Sequence, residues 1–118
     1  MDFETLDHLL SSKPGATPEY PFGPGVRVWK LSNKMFALVG EESEQVQISL
    51  KCDPDLALEL RAQFPGIVTA GYHLNKTHWN TVILDGTVDH EISDWIDHSY
   101  QLVLDSLPQK DRLRIESI

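Results

Sequence analysis

Little in this sequence would tie it to an oxidising compartment, a membrane or an export route. Cys52 is the only cysteine, so no internal disulfide can form, and a cytoplasmic location is expected. No apolar run approaches the roughly 20 residues that cross a bilayer. The first residues, Met1 to Glu4, are acidic, whereas a signal peptide begins with basic residues. We therefore expect neither a membrane span nor secretion.

Basic residues are also scarce, because 10 lysines and arginines stand against 18 acids and give a formal net charge of −8. Such an excess disfavours long-range attraction to nucleic acid or anionic membranes, although it is compatible with a local basic patch. The glycine-rich phosphate-binding motifs and the serine nucleophile elbow are missing. The sequence accordingly predicts no catalytic residue and no cofactor, and it gives no support for an enzyme.

The first half of the chain predicts a helix, a loop and three strands. Apolar residues at helical spacing predict an amphipathic helix over 2–12. Prolines and glycines predict a stiff loop over 16–25, with Tyr20 and Phe22 turned inward. Strands at 26–31 and 34–39 flank a two-residue turn, residues 40–44 form a second turn, and alternation predicts a strand at 46–51. These strands form an antiparallel meander.

The second half predicts two more helices and at least one more strand. An N-capping Asp53 followed by Pro54 begins a helix that runs to about residue 64. Residues 67–78 are not assigned, apart from an optional strand, and a strand follows at 79–84 with a turn at 85–86. The last helix covers 89–107, and the tail after Gln109 is weakly ordered or a short helical end.

The order α-β-β-β-α-(β)-β-α predicts an α+β fold, in a single domain spanning 1–118. Strands that follow one another in a block pair in a mostly antiparallel sheet, and the flanking helices pack on one face of it.

Several segments resemble the MmcQ/YjbR family in the right order over nearly the whole chain. They are residues 13–16, 34–39 and 49–54, the run 71–82 with its His-Leu-Asn-Lys-Thr-His-Trp core, the turn 85–86, and Ser99 with Tyr100. The resemblance implies a fold similar to frataxin and CyaY. It also implies the family's label of a DNA-binding double-wing motif.

A dense polar and aromatic run before the strand at 79–84 is the strongest candidate surface. Its members are Tyr72, His73, Asn75, Lys76 and His78. Lys and Asn side chains can contact phosphates, and aromatic rings can stack on bases. Lys51 ends an alternating strand and would share a sheet face with Gln47 and Ser49. Further cations, Arg27, Lys30 and Lys34, lie on the first hairpin, the would-be wing.

Two binding hypotheses and a structural explanation follow from this run. In the first, it binds nucleic acid in a salt-sensitive way through Lys51, Lys76 and the hairpin cations. In the second, which accounts better for the net charge of −8, the same loop lines a concave site for a small ligand or a protein. In the structural explanation, the polar groups satisfy an irregular backbone, and Trp79 belongs to the core.

Three further groups are weighed and set aside as sites. His73 and His78 could give two metal ligands, but neither a His-Glu-x-x-His motif nor a cysteine pair accompanies them, so no metal site is predicted. His90, Asp94 and His98 share a helical stripe that predicts a solvated face. Cys52 follows a lysine and precedes a helix, features that lower a thiol pKa, but a lone cysteine there is typical of a structural residue.

Overall fold

The computed structural model describes residues 1–41 and 44–118, which contain four α-helices and six strands. The elements in chain order are α1 (Phe3–Ser11), β1 (Thr17–Glu19), β2 (Val26–Leu31), β3 (Lys34–Gly40), β4 (Gln47–Lys51), α2 (Pro54–Gln63), β5 (Val68–Ala70), β6 (Trp79–Ile83), α3 (Ile92–Ser106) and α4 (Gln109–Glu116). A single 3-10 turn at Asp89–Glu91 leads into α3.

The strands form one sheet in the order β1-β2-β3-β4-β6-β5, and every neighbouring pair is antiparallel. The predicted meander is confirmed as β2-β3-β4. Its first turn places Ser32 at φ 45° and Asn33 at φ 70°, the left-handed conformation that two-residue hairpins require. The α+β class and the element order are therefore as predicted.

One strand lies where the sequence predicted a loop, and another takes the place of the optional strand. Within the predicted loop 16–25, β1 pairs with β2, and within 67–78, β5 pairs with β6, so the optional strand is present. Both are edge strands of three residues, too short to show a periodic pattern. Pro18 lacks an amide hydrogen and is tolerated in β1 because an edge strand leaves one side unpaired. Residues 42 and 43 of the predicted turn at 40–44 lie outside the described residues.

A bulge between β2 and β3 breaks the simple alternation of the first hairpin. Trp29 pairs with Ala37, but Lys30 pairs with Met35, so Phe36 is the extra residue. Phe36 and Ala37 are consequently both buried although they are adjacent in the strand.

The core lies between the helices and one face of the sheet. Buried residues of all four helices, including Leu6, Leu60, Ile96 and Ile115, join sheet residues in one apolar cluster. Ser99 of α3 is fully buried within it; its hydroxyl donates to the Phe36 carbonyl at 2.6 Å and accepts from the Lys51 amide at 2.9 Å. This helix is therefore attached to β3 and β4 by hydrogen bonds as well as by packing.

The chain end forms a short helix, one of the two predicted outcomes for the tail after Gln109. Ile115 of α4 is buried and lies against Gly15. Among the described residues, no helix has the length and apolar character that a membrane crossing requires.

The opposite face of the sheet carries no helix in the described part of the chain, and we call it the open face. Trp79 is buried, as predicted, at 8% exposure, but it lies outside the main cluster and pairs with Lys51 across β4 and β6. Two other residues of β6, Asn80 and Val82, point to the helices, because side chains alternate between the two faces along a strand. Trp79 is covered by the segment 71–78, since the Gly71 amide donates to the Trp79 carbonyl at 2.8 Å.

We predict that Gly71→Ala destabilises the domain by about 1–3 kcal/mol. A Cβ at this position would lie 2.6 Å from the Trp79 Cβ and 3.1 Å from its carbonyl oxygen, so the backbone must shift. Urea unfolding measures the loss. The matched control is Gly40→Ala, where nothing lies within 4 Å, and an equal loss in both variants would contradict the prediction.

Candidate binding groove on the open sheet face

A groove of about 440 Å³ crosses the open face between the segments 20–25 and 71–78. Strands β2, β3, β4 and β6 provide its floor, and the two segments provide its walls. The lining residues are Phe22, Val26, Leu38, Gly40, Gln47, Ser49, Tyr72, His73, Leu74 and Thr81. The floor is apolar where β2 and β3 form it, because the side chains of Val26 and Leu38 face away from the helices.

The most exposed parts of the walls are aromatic. Phe22 is 63% exposed and Tyr72 is 72% exposed, so each presents apolar surface to solvent. The prediction that Tyr20 and Phe22 turn inward is therefore wrong. Polar partners hold Tyr20 at the surface, because its hydroxyl donates to the Glu41 carboxylate and the Arg27 guanidinium lies 5.6 Å from its ring centre.

Tyr72 and His73 form a close, tilted ring pair on the second wall. Their ring centroids are 4.0 Å apart, with 54° between the ring planes. His73 has φ 57°, a left-handed conformation that costs a residue other than glycine about 1–2 kcal/mol. The Tyr72 amide donates to the Thr81 Oγ1 at 3.0 Å, so the strained turn is anchored on the groove floor.

The floor also contains a hydroxyl pair. Ser49 and Thr81 lie on neighbouring strands with their oxygens 2.9 Å apart, and either can be the donor. Two hydroxyls hold two protons, and their mutual hydrogen bond uses one of them. The other proton is available to donate to a molecule in the groove. The Gln47 amide adds a second polar group on the same face.

The lower half of the predicted run has a structural role. The Asn75 side chain accepts from the Thr77 amide at 2.9 Å, and the main-chain carbonyl of Asn75 accepts from the Trp79 amide at 3.0 Å. The Lys76 ammonium donates to the Gly71 carbonyl at 3.1 Å. His78 is exposed, and its carbonyl accepts from the Cys52 amide at 2.8 Å. Of the run, Tyr72 and His73 line the groove, and the other three hold the segment in shape or lie beside it.

The hairpin cations are not gathered with Lys51 and Lys76. Each is engaged with a partner on another element, so the would-be wing carries no open basic stripe. The partners are the Asp7 carboxylate for Arg27 at 3.3 Å, the Glu19 carboxylate for Lys30 at 2.9 Å, and the Ser106 carbonyl for Lys34 at 3.3 Å. Lys51 itself is half-buried beside Trp79, outside the groove lining.

Arg61 is a residue that the sequence reasoning missed. Its Nε donates to the Asn80 Oδ1 at 2.7 Å, and its Nη2 donates to the Trp79 carbonyl at 3.2 Å and to the Lys76 carbonyl. A signal was present in the sequence, because Asn80 occupies an inward position of β6, whose other inward residue, Val82, is apolar. A buried amide there needs partners, which are Arg61 and the Ala57 carbonyl.

Cys52 is buried, which agrees with its interpretation as a structural residue, whereas His98 differs from its interpretation. Burial, followed by the nearby Asp53 charge, raises the pKa of the Cys52 thiol from 9.0 to about 11, so a lowered pKa is not what this environment produces. His98, placed on a solvated stripe by its spacing, is half-buried and accepts from the Asp53 amide at 3.1 Å. Within residues 1–41 and 44–118, no three potential metal-binding side chains lie together.

The fold and the site together define a class: an α+β domain with helices on one face of an antiparallel sheet and an aromatic-walled groove on the other. The model of the YjbR family matches residues 11–102. The chain belongs to the YjbR family, as its motifs indicated.

Relatives in sequence and in structure support the same assignment. The chain is 38% identical over 112 residues to the uncharacterized protein YjbR of Escherichia coli K12, covering 92% of this chain and 94% of that protein. It is similar to a crystal structure of the Deinococcus radiodurans protein DR2400, with TM-score 0.90 and 33% identity over 98% of this chain and 88% of the other. A Pseudomonas syringae crystal structure matches with TM-score 0.74 and 30% identity over 87% and 99%.

We predict that Arg61→Lys destabilises the domain by about 1–3 kcal/mol, because a single ammonium cannot reach all three oxygens and buried acceptors lose their donors. Denaturant unfolding measures the loss, and faster hydrogen exchange at the Trp79 amide locates it. Arg112→Lys is the control, because Arg112 lies 3.9 Å from Glu116 in an exposed pair. Equal effects of the two substitutions would show that the Arg61 contacts contribute no more to the free energy of unfolding than the exposed Arg112 pair does.

We predict that iodoacetamide alkylates Cys52 of the folded protein at least about a hundredfold more slowly at about pH 8 than it alkylates the urea-unfolded chain. A pKa of about 11 in place of 9.0 leaves far less thiolate at that pH, and burial restricts access further. Mass spectrometry follows the single cysteine directly. Similar rates in the two states would be inconsistent with a buried, protonated thiol.

Proposed function

We propose that this domain is a binding module whose groove takes a small, planar, largely apolar molecule between Phe22 and Tyr72. The observation that carries the proposal is a pair of exposed aromatic walls above an apolar floor. The groove volume of about 440 Å³ falls within the roughly 300–1,000 Å³ range of small-ligand sites. Exposed apolar side chains gathered around one groove are typical of an interaction site.

The polar groups of the groove suit such a ligand. An aromatic ring between the walls gains apolar burial and offset stacking against Phe22 and Tyr72. The remaining hydroxyl proton of the Ser49–Thr81 pair then donates to one acceptor on the ligand and fixes its orientation. A few polar groups on an apolar floor are the usual composition of a selective small-molecule site.

The nucleic-acid hypothesis draws less support than the small-ligand hypothesis. Phosphate binding needs cations along a track, but Arg27, Lys30 and Lys34 are engaged elsewhere, and the net charge is −8. Among the described residues that line the groove there is neither lysine nor arginine. Single-stranded nucleic acid therefore serves as an alternative outcome of the test.

A catalytic hypothesis also draws little support from the groove. Acid–base chemistry uses two titratable groups within hydrogen-bond reach. The described lining includes His73 but no carboxylate, cysteine or lysine, and the His73 ring packs at a tilt against Tyr72. The proposal is accordingly one of binding.

We predict that the neutral fluorophore N-phenyl-1-naphthylamine brightens in the presence of the protein, because it enters the apolar groove. Phe22→Ala and Tyr72→Ala should each weaken its binding by at least about threefold, since stacking is worth about 0.5–1.5 kcal/mol beyond burial. Leu58→Ala is the matched control, because Leu58 is 62% exposed, much like Phe22, but belongs to α2. Thermal melts of all three variants check that folding is kept.

Two results would overturn this proposal. In one, the fluorophore does not bind, or the Leu58 variant weakens binding as much as the groove variants. In the other, oligothymidine binds at low salt with an affinity that falls on Lys51→Ala but not on Tyr72→Ala, which would favour the nucleic-acid hypothesis.

A further inference from the structure

The charge of the ligand can also be inferred, and this step rests on the proposed function. We propose that the groove takes an aromatic molecule carrying an ammonium group and discriminates against a carboxylate on the same ring. The juxtaposition behind this proposal is two exposed aromatic side chains in the lining, the lack of lysine and arginine among the described lining residues, and the net negative charge of the whole chain.

The aromatic walls favour a cation directly. The face of a benzene or phenol ring carries negative partial charge, and an ammonium group within roughly 6 Å of the ring centre is attracted to it. Phe22 and Tyr72 belong to the two walls of the groove and are 63% and 72% exposed. An anion at the same place would be repelled by both rings.

Cations around the groove either have partners or lie outside its lining, as Lys51 does. Lys30 pairs with Glu19, and Arg27, which alternates with the groove-lining Val26, pairs with Asp7 of α1. Lys76 lies on the second wall's own segment, but its ammonium is held 3.1 Å from the Gly71 carbonyl and is absent from the groove lining. An anionic ligand therefore finds no cation presented to it within the described lining.

Acidic groups, in contrast, continue from the groove edge. Gly40 lines the groove and is followed by Glu41, whose amide donates to the Gly25 carbonyl at 2.7 Å. This bond fixes Glu41 beside the loop that carries Phe22. Glu44 is exposed a few residues further on, and the whole chain carries a formal net charge of −8. The long-range field thus attracts a cationic ligand and repels an anionic one.

Three indoles that differ mainly in charge test the inference: tryptamine, tryptophol and indole-3-propionate. Dissociation constants come from NMR titrations that follow the Leu38 and Leu74 methyl signals and the Phe22 ring signals. The titrations are run at low salt and about pH 8, above the range in which histidines ordinarily titrate. We expect tryptamine to bind about threefold to tenfold more tightly than indole-3-propionate, with tryptophol between them.

High salt and two variants sharpen the test. The preference for tryptamine should narrow at roughly 0.5 M salt, where exposed charges are screened. Phe22→Ala and Tyr72→Ala should weaken tryptamine binding, and Leu58→Ala should leave it unchanged. The inference falls if tryptamine binds no more tightly than indole-3-propionate at low salt. The proposed function falls with it only if N-phenyl-1-naphthylamine also leaves the groove signals unaffected.

Discussion

The close approach of Gly71 to Trp79 is the constraint on which the open face depends. Only a residue without a side chain fits there, because a Cβ would come within 2.6 Å of the Trp79 Cβ. This approach lets the chain fold back over the sheet, bury Trp79 and raise Tyr72 and His73 as a wall. The groove is thus produced by backbone geometry on a face that the helices leave uncovered.

Arg61 links this wall to the opposite side of the sheet. It projects from α2, which packs on the core, yet its guanidinium bonds the carbonyls of Lys76 and Trp79 in the covering segment. It also bonds Asn80, a buried residue of β6. The position of the wall is therefore coupled to the packing of α2, so changes in a helix distant from the groove can alter its width.

Local patterns allowed most of the fold to be predicted, and long-range partners explain the rest. The Ser32–Asn33 turn, the alternation of β4 and the Asp53–Pro54 helix start are each determined by a few neighbouring residues, and each prediction was confirmed. The outward direction of Phe22 depends on what covers the sheet, which no nearby residue encodes. The run at 72–78 was recognised as unusual, but its division into wall and scaffold required knowledge of the partners of Asn75.

The Ser99 hydroxyl, buried at mid-length of α3, has a mechanical consequence for the helical layer. One oxygen serves the Phe36 carbonyl and the Lys51 amide at once, so it joins two strands through a single atom of the helix. An aliphatic side chain in place of Ser99 would leave both buried backbone groups without a hydrogen-bond partner, and without water to replace it. The helix therefore cannot slide along the sheet by a turn without breaking both bonds.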